Sequence, residues 1–417
     1  MHIVIIGCGV AGVTAARTIK ESAPDVEVAV CTDENHLYYP RPRLYELLSG
    51  EKEPLEIYSY TSEWYEKLGI KVQLGKKVLN VHPASKELAL EDGLKINYDK
   101  LLLANGAYPF VPPIEGVEKR GTFTLRTVED AVAIGQYAKK TKKAIVIGGG
   151  LLGLEFAARL RKLGQQVEVV EMYPRLLPTQ LDRESSAILE DDLIKLGIHA
   201  SLGVKITEIL GKEAVAGVSL DNGKEVSGEL ILISAGVKPS IKMATDAGLK
   251  VDKGVVVDEY LRTSADDVYA AGDVVEFHGQ VFGIIPPAVE QADVASANML
   301  GIQKRVYNGT IRAATLRVAG ISLTSIGVVN PQGSQYEEVK SIDRQDGVYK
   351  KIVLNRGKIV GAILLGDRKG ASALMKLMQN ETDVTKYKDH LLEDNFDYTQ
   401  VTQNAGTCEN PHTPDHS

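Results

Sequence analysis

The chain opens on an unbroken apolar run, Ile3-Val-Ile-Ile6, that stops at Gly7, and the pattern recurs at Ala144-Ile-Val-Ile147 before Gly148. Short runs without polar alternation predict parallel strands buried on both faces. Each run gives way to helical spacing, Val13 to Ser22 in one case and through Leu163 in the other, and each helix leads to a further strand, Glu27 to Cys31 and Gln166 to Glu171. Strand, glycine turn, helix and strand make the opening of a doubly wound sheet. Late apolar strands then end in Leu103-Ala-Asn-Gly106 in the first half and Ser234-Ala-Gly236 in the second, so the repeat extends beyond the glycine turns.

Between and after these repeats the periodicity predicts a helix from Glu56 to Gly69, strands over Ile70 to Leu74 and Val78 to Val81, and helices from Asp182 to Leu196 and from Pro286 to Leu300. Past residue 313 strands are expected at Thr315 to Val318, Leu323 to Val329, Gln335 to Val339, Tyr349 to Asn355 and Ile359 to Leu365, then helices at Ala371 to Met378 and Lys388 to Leu392. Pro109, Pro112, Pro113 and Gly116 mark a crossover. The expected division is a discontinuous first domain over 1–113 and 241–312, a second over 114–240, a third over 313–395, and a polar, proline-bearing mobile tail over 396–417.

The glycines turn this outline into chemistry. In Gly7-Cys-Gly-Val-Ala-Gly12 and Gly148-Gly-Gly-Leu-Leu-Gly153 the first glycine permits a tight turn, Gly9 or Gly150 lets the backbone approach a pyrophosphate, and Gly12 or Gly153 lets helix and strand pack closely. Val10, Ala11, Leu151 and Leu152 then lie in the first helical turn, whose N–H groups face the anion. An acid at the end of the second strand is expected to bind the adenosine ribose: Asp33 or Glu34 in the first half, Glu171 in the second. Glu171 accepts from a free 2′-hydroxyl and repels a 2′-phosphate, which favours NADH over NADPH, with Arg175 close enough to serve a phosphate if turned inward.

Other candidates follow from local chemistry. Arg41, fixed between Pro40 and Pro42, suits a diphosphate through its planar fork. The small residues Ala104, Asn105 and Gly106, and Ala235 and Gly236 in the second half, let the chain pass close to a cofactor. Gly272 brings the backbone near a ligand, and Asp273 can accept from a sugar or ribitol hydroxyl. The helix beginning at Ile285 and the Pro-Pro pair has free N–H groups that favour negative charge.

Bulk properties narrow the class. The 417 residues need more than one core, and 44% hydrophobic and 25% charged residues are ordinary for a globular protein. A formal charge of -7 gives no support to nucleic-acid binding. Cys8, Cys31 and Cys408 cannot build a disulfide framework, which points to the cytoplasm, and neither a signal peptide nor a membrane-spanning run is expected. Cys408, His412 and His416 have helical spacing interrupted by Pro411 and Pro414, so no metal site is predicted.

In order and spacing, Gly7-Cys-Gly-Val-Ala-Gly12, Tyr39-x-Arg-Pro42, Leu103-Ala-Asn-Gly106, Thr124-Leu-Arg-Thr127, Gly148 to Glu155, Glu171 and Val268-Tyr-Ala-Ala-Gly-Asp273 resemble the two-dinucleotide-fold flavoprotein reductases. The likeness is to the branch of NADH:rubredoxin reductases, oxygenase-coupled ferredoxin reductases and the flavin module of nitrite reductase. It implies an α/β protein with two Rossmann-like three-layer domains of the glutathione-reductase type and a smaller α+β C-terminal domain. It further implies FAD on the first loop with Val78 at the adenine and Arg126 near the flavin, NADH on the second, Glu155 near the reacting rings and Arg317 as a cation for reduced flavin. Glu46 stands where oxygenase-coupled members usually carry a lysine, beside Glu155. The redox cysteines of disulfide reductases are absent from their places, so electrons are expected to pass from FAD to a small iron–sulfur or rubredoxin-type acceptor without a thiol relay. The flavin module of a nitrite-reductase complex, a water- or peroxide-forming NADH oxidase and a flavin-binding redox sensor or scaffold are the alternatives; a homodimer is possible.

Overall fold

The computed structural model describes residues 1–318 and 320–404. The chain divides into two compact units: Met1–Pro113, Thr122–Lys140 and Leu232–Thr310 form one, and Ile114–Gly121, Thr141–Ile231 and the chain from Ile311 onward form the other.

The first unit is built on a five-stranded sheet with strand order Val268–Ala270, Lys100–Leu103, His2–Ile6, Glu27–Cys31, Ile70–Gln73. Its pairings are parallel throughout. Ile3, Val4 and Ile5 are wholly buried, which explains why this strand lacks alternation. Each such side chain contributes about 1.5–3 kcal/mol relative to exposure. Helix Val10–Ser22 packs against helix Ile285–Leu300, with Thr18 donating to Asp293 at 2.6 Å and Ser296 to the Ala15 carbonyl at 3.4 Å. The unit also holds a three-stranded antiparallel sheet, Val78–His82, Glu87–Leu90 and Lys95–Asn97, an antiparallel ribbon, Ala107–Pro109 with Val237–Pro239, and a short parallel pair, Val255–Val256 with Val275–Glu276.

The helix expected over Glu56 to Gly69 is two elements. Pro54 starts a single 3-10 turn, Pro54–Ile57, the chain extends at Tyr58, and Ser59 donates its N–H to the Tyr38 carbonyl. Helix Ser62–Leu68 then runs to Gly69, which ends it at φ +69°. Buried Ile57 and the tie to Tyr38 outweigh the local helical pattern.

The second unit repeats the nucleotide fold: Lys143–Ile147 lies between Gln166–Glu171 and Leu230–Ile233, and Ile198–Leu202 follows Gln166–Glu171. It also holds a five-stranded antiparallel sheet in the order Ala313–Val318, Ile321–Gly327, Lys358–Leu365, Val348–Asn355, Tyr336–Asp343. Helix Ala371–Gln379 covers it through Leu374 and Leu377. Asp182 ties this sheet to the nucleotide fold. It caps helix Arg183–Lys195 by accepting the Ser185 N–H at 3.0 Å, and also accepts from Tyr349 at 2.5 Å and Lys351 at 3.0 Å. Lys351 is almost wholly buried and its second carboxylate is Glu338 at 2.7 Å. The protein–protein hydrogen bonds hold the Asp182 carboxyl down at about 2 against the opposing effect of burial.

Lys388 to Leu392 is not the expected helix. Successive turns run from Val384 through Phe396, and Leu391 and Leu392 are buried in the C-terminal core. The chain does not leave that core at once: Phe396 and Tyr398 pack on it and Val401, in helix Thr399–Asn404, is buried. Cys408, His412 and His416 lie outside the described residues. Among the described residues no helix is long and apolar enough to cross a membrane.

Candidate functional site

Both glycine loops are formed by the same backbone device. Gly7 adopts φ +108° and donates its N–H to the Cys31 carbonyl at 2.8 Å; Gly148 adopts φ +113° and donates to Val170 at 2.8 Å. A Cβ on Gly7 would strike the Ala104 carbonyl, and one on Gly12 the Gly7 carbonyl, so these two glycines serve the packing of the loop itself. Gly9 and Gly150 differ. Nothing lies within 4 Å of a Cβ built on either, so both border open space.

Helices Val10–Ser22 and Leu151–Lys162 begin at these residues with no side-chain cap and no acid in the first turn. Two helices do carry capping boxes, Thr127 with Asp130 on Val128–Ala138 and Asp182 with Ser185 on Arg183–Lys195, while others, such as Ser62–Leu68 and Ile285–Leu300, also lack a side-chain cap. Open first-turn N–H groups beside a glycine with no protein atom against its Cβ position fit a pyrophosphate at each loop. Val10, Ala11, Leu151 and Gly153 sit in those first turns, and Leu152 is half exposed.

Around the first loop the structure gathers two ion pairs. Glu34 accepts from Arg41 through both carboxylate oxygens, at 2.5 and 3.2 Å, and also from the Tyr39 hydroxyl. Arg41 donates onward to the Arg126 carbonyl at 2.7 Å. The Arg126 guanidinium lies 3.6 Å from Asp273, both side chains about three-quarters buried. Burial pushes the Asp273 carboxyl up against the pull of Arg126, and pushes Arg126 down with Arg41 adding to it. Asp130 fixes the Arg126 backbone N–H at 2.8 Å, and Gly106, at φ +66°, leaves room for the guanidinium beside it. Asn105 donates its amide to the Ser240 carbonyl at 2.8 Å, while its Oδ1 is buried without a partner in the protein. Gly272, at φ +87°, donates to Gln291, and a Cβ there would press on Ala11 at 3.0 Å. Asp273 is therefore delivered close to the first nucleotide helix. The orphaned Asn105 oxygen and the desolvated Arg126–Asp273 pair fit a bound polar group such as the flavin end of FAD.

Val78 is buried at the start of its strand, Ala104 is buried, and Ile285 is the 43% exposed first residue of its helix. Gly236, at φ +96°, would meet nothing within 4 Å if it carried a Cβ, and Ala235 precedes it half-buried. Asp33 is exposed. Glu46, in the short helix Leu44–Leu48, pairs with Arg43 at 3.5 Å. In the second unit, Glu171 is 7% exposed; its oxygens accept the N–H groups of Gly149 at 2.7 Å and Tyr173 at 2.8 Å. Arg175 donates to the Pro178 carbonyl rather than to a side chain. Glu155 is half-buried one turn into its helix, and Arg317 pairs with Ser322 in the register of the C-terminal sheet.

The parts played by two residues were not assigned from the sequence. Thr32 occupies the position that Glu171 holds in the other fold, a match visible only when the halves are aligned from their glycine turns. Tyr39 is buried with its hydroxyl between Glu34 and Arg41.

The pyridine nucleotide-disulphide oxidoreductase family matches residues 1–298, and the rubredoxin NAD+ reductase C-terminal domain matches 313–382. The chain belongs to the pyridine nucleotide-disulphide oxidoreductase family. Nitrite reductase [NAD(P)H] of Bacillus subtilis is 34% identical over 92% of this chain and 48% of its own length. NADH-rubredoxin oxidoreductase of Clostridium acetobutylicum is 30% identical over 91% of this chain and 94% of its own. Among solved structures a ferredoxin reductase from Rhodopseudomonas palustris superposes with a TM-score of 0.87 at 25% identity, covering 96% of this chain and 99% of that one. The chain spans about half the length of the first curated relatives it matches. FAD and NADH are the cofactors of this family. Its disulphide chemistry has no counterpart among the described residues: Cys8 and Cys31 are free and buried, and burial pushes their thiols up to about 12 and about 11.

Proposed function

We propose that this chain is an FAD-dependent NADH oxidoreductase that delivers single electrons to a small iron–sulfur or rubredoxin-type protein. The observation that carries the reading is the pair of uncapped helices over open glycine cradles, in a chain whose described thiols are buried and protonated. Residues 1–113 with 241–312 are assigned to FAD, 114–240 to NADH, and 313–395 to the C-terminal domain. When bound, FAD accepts a hydride and can release electrons one at a time.

The chain's own residues bind and orient. Gly7 to Gly12 and Arg41 hold the FAD diphosphate; Val78 meets the adenine; Arg126, Asp273, Asn105 and Ile285 face the flavin and ribitol. Gly148 to Gly153 and Glu171 hold NADH, and the local tie of Arg175 to Pro178 supports NADH over NADPH. Glu155 is the carboxylate assigned, together with Glu46, to the neighbourhood of the reacting rings, where no side chain need donate a proton for hydride transfer, and Arg317 is the cation for reduced flavin.

Anaerobic mixing with NADH and with NADPH tests this. Rapid bleaching of the flavin band by NADH is expected; bleaching by neither nicotinamide rejects the reductase. Turnover with rubredoxin, ferredoxin and oxygen then separates the acceptors. The 34% identity to a nitrite reductase twice as long favours one further reading, service as the flavin module of a larger nitrite-reducing assembly.

A further inference from the structure

We infer that Glu34 is a positioning residue, which aims the Arg41 guanidinium at the first nucleotide site instead of binding the adenosine ribose. The inference rests on the reading that the first glycine loop holds FAD. It begins with the backbone. Ile6 pairs with Cys31 and Ile147 with Val170, and Gly7 and Gly148 each donate to that paired residue's carbonyl at 2.8 Å. The next residue is Thr32 in one fold and Glu171 in the other. Glu34 therefore stands two residues beyond the place from which Glu171 acts.

Its side chain is also engaged by its neighbours. Arg41 takes both oxygens, the bidentate geometry that fixes a guanidinium in plane as well as in place. Tyr39 seals one side: its hydroxyl bridges Glu34 and Arg41, and the guanidinium carbon lies 4.9 Å from its ring centroid. The Arg126 carbonyl takes a further Arg41 donor at 2.7 Å. Among the described residues Arg41 Nε has no hydrogen-bond partner, so the arginine retains donor capacity for an anion. Two effects compete when Glu34 is removed. A carboxylate beside Arg41 weakens its attraction for a diphosphate, whereas an unheld guanidinium must be ordered on binding. A bidentate hold on a side chain already flanked by Pro40 and Pro42 makes orientation the larger effect.

Titration of apoprotein with FAD, followed by quenching of flavin fluorescence, decides this without turnover. Glu34→Gln and Arg41→Ala are each expected to weaken FAD by about tenfold or more, and the double variant to be no worse than the weaker-binding single. The Glu34→Gln loss should be the same on an FAD analogue lacking the adenosine 2′- and 3′-hydroxyls. Unchanged or tighter FAD in Glu34→Gln, additive losses, or a loss that disappears on the dideoxy analogue each overturn the inference. Glu34→Asp, which keeps the charge one methylene short, should fall between wild type and Glu34→Gln if the latter folds poorly. Wild-type apoprotein that fails to bind FAD would reject the parent reading, seen before any substitution is made.

Discussion

In the first nucleotide fold the acid beyond the second strand, Glu34, is held by the side chains of Arg41 and Tyr39, whereas in the second the acid Glu171 is held by the main-chain N–H groups of Gly149 and Tyr173. A carboxylate gripped by its own loop keeps its position whether or not a ligand is present, as a nucleotide that comes and goes requires. A carboxylate gripped by an arginine instead fixes that arginine, which suits a cofactor that stays. On the proposed assignment of FAD to the first loop and NADH to the second, the same glycine turn serves two tasks, and the difference lies in what surrounds the loops.

The sharpest way to break this comparison is at Gly9 and Gly150, where a methyl meets no protein atom within 4 Å. Alanine at either should leave the fold intact and intrude only on a bound diphosphate, costing on the order of 100-fold in binding. Gly9→Ala is expected to purify without flavin. Gly150→Ala should keep its flavin yet bleach slowly with NADH. Loss of flavin from both, measured by absorbance per protomer, would end the division of labour.

An effect of comparable size, on stability instead of binding, should appear at Asp182, which locks the second fold to the C-terminal sheet and has no counterpart described at the first loop. Asp182→Ala leaves buried Lys351 with Glu338 alone and uncaps a helix, at a cost of about 3 kcal/mol. The pH dependence has a definite sign. The carboxyl is held at about 2 against an ordinary 3.8, so its contribution, about 2 kcal/mol, is complete above pH 3.8 and is lost as pH falls towards 2. Denaturant melts of wild type and Asp182→Ala should converge across that window and stay parallel above it.

These ties show what the sequence made legible and what it did not. The glycine turns at Gly7 and Gly148, the helices that follow them and the strand that ends at Glu171 were readable because strand period, turn residue and helix start are local signals. That Arg41 binds Glu34, or that Lys351 reaches Asp182 from 169 residues away, depends on side-chain packing that no local period encodes. Lys388 to Leu392 misleads for a related reason: Leu391 and Leu392 are apolar because they fill the core from a turn, and Tyr398 donates to the Leu391 carbonyl at 2.7 Å to hold them there.

Next in size is Glu171→Gln. Both oxygens accept main-chain N–H groups, but an amide has one acceptor, so Gly149 or Tyr173 is left facing an N–H₂. The expected outcome is a rise of about tenfold in KM for NADH with FAD binding unaltered. An equal loss of FAD would show that the two loops are not independent.

The smallest effect expected is at Tyr39→Phe. The ring remains to stack on Arg41, and Glu34 keeps both of its contacts to the guanidinium, so only the hydroxyl bridge is lost. Both bonds of the bridge are charge-assisted, but Glu34 and Arg41 keep their direct bidentate pair, so the net loss expected is about 1 kcal/mol, a few-fold in FAD dissociation. The same substitution made in Glu34→Gln should cost less, because the hydroxyl then has no carboxylate to orient, and that shortfall measures how far Tyr39 acts through Glu34. No equivalent side-chain substitution can loosen Glu171, since its partners are main-chain N–H groups. Sensitivity at Tyr39 combined with indifference of NADH binding to that change would confine the side-chain-held arrangement to the first loop.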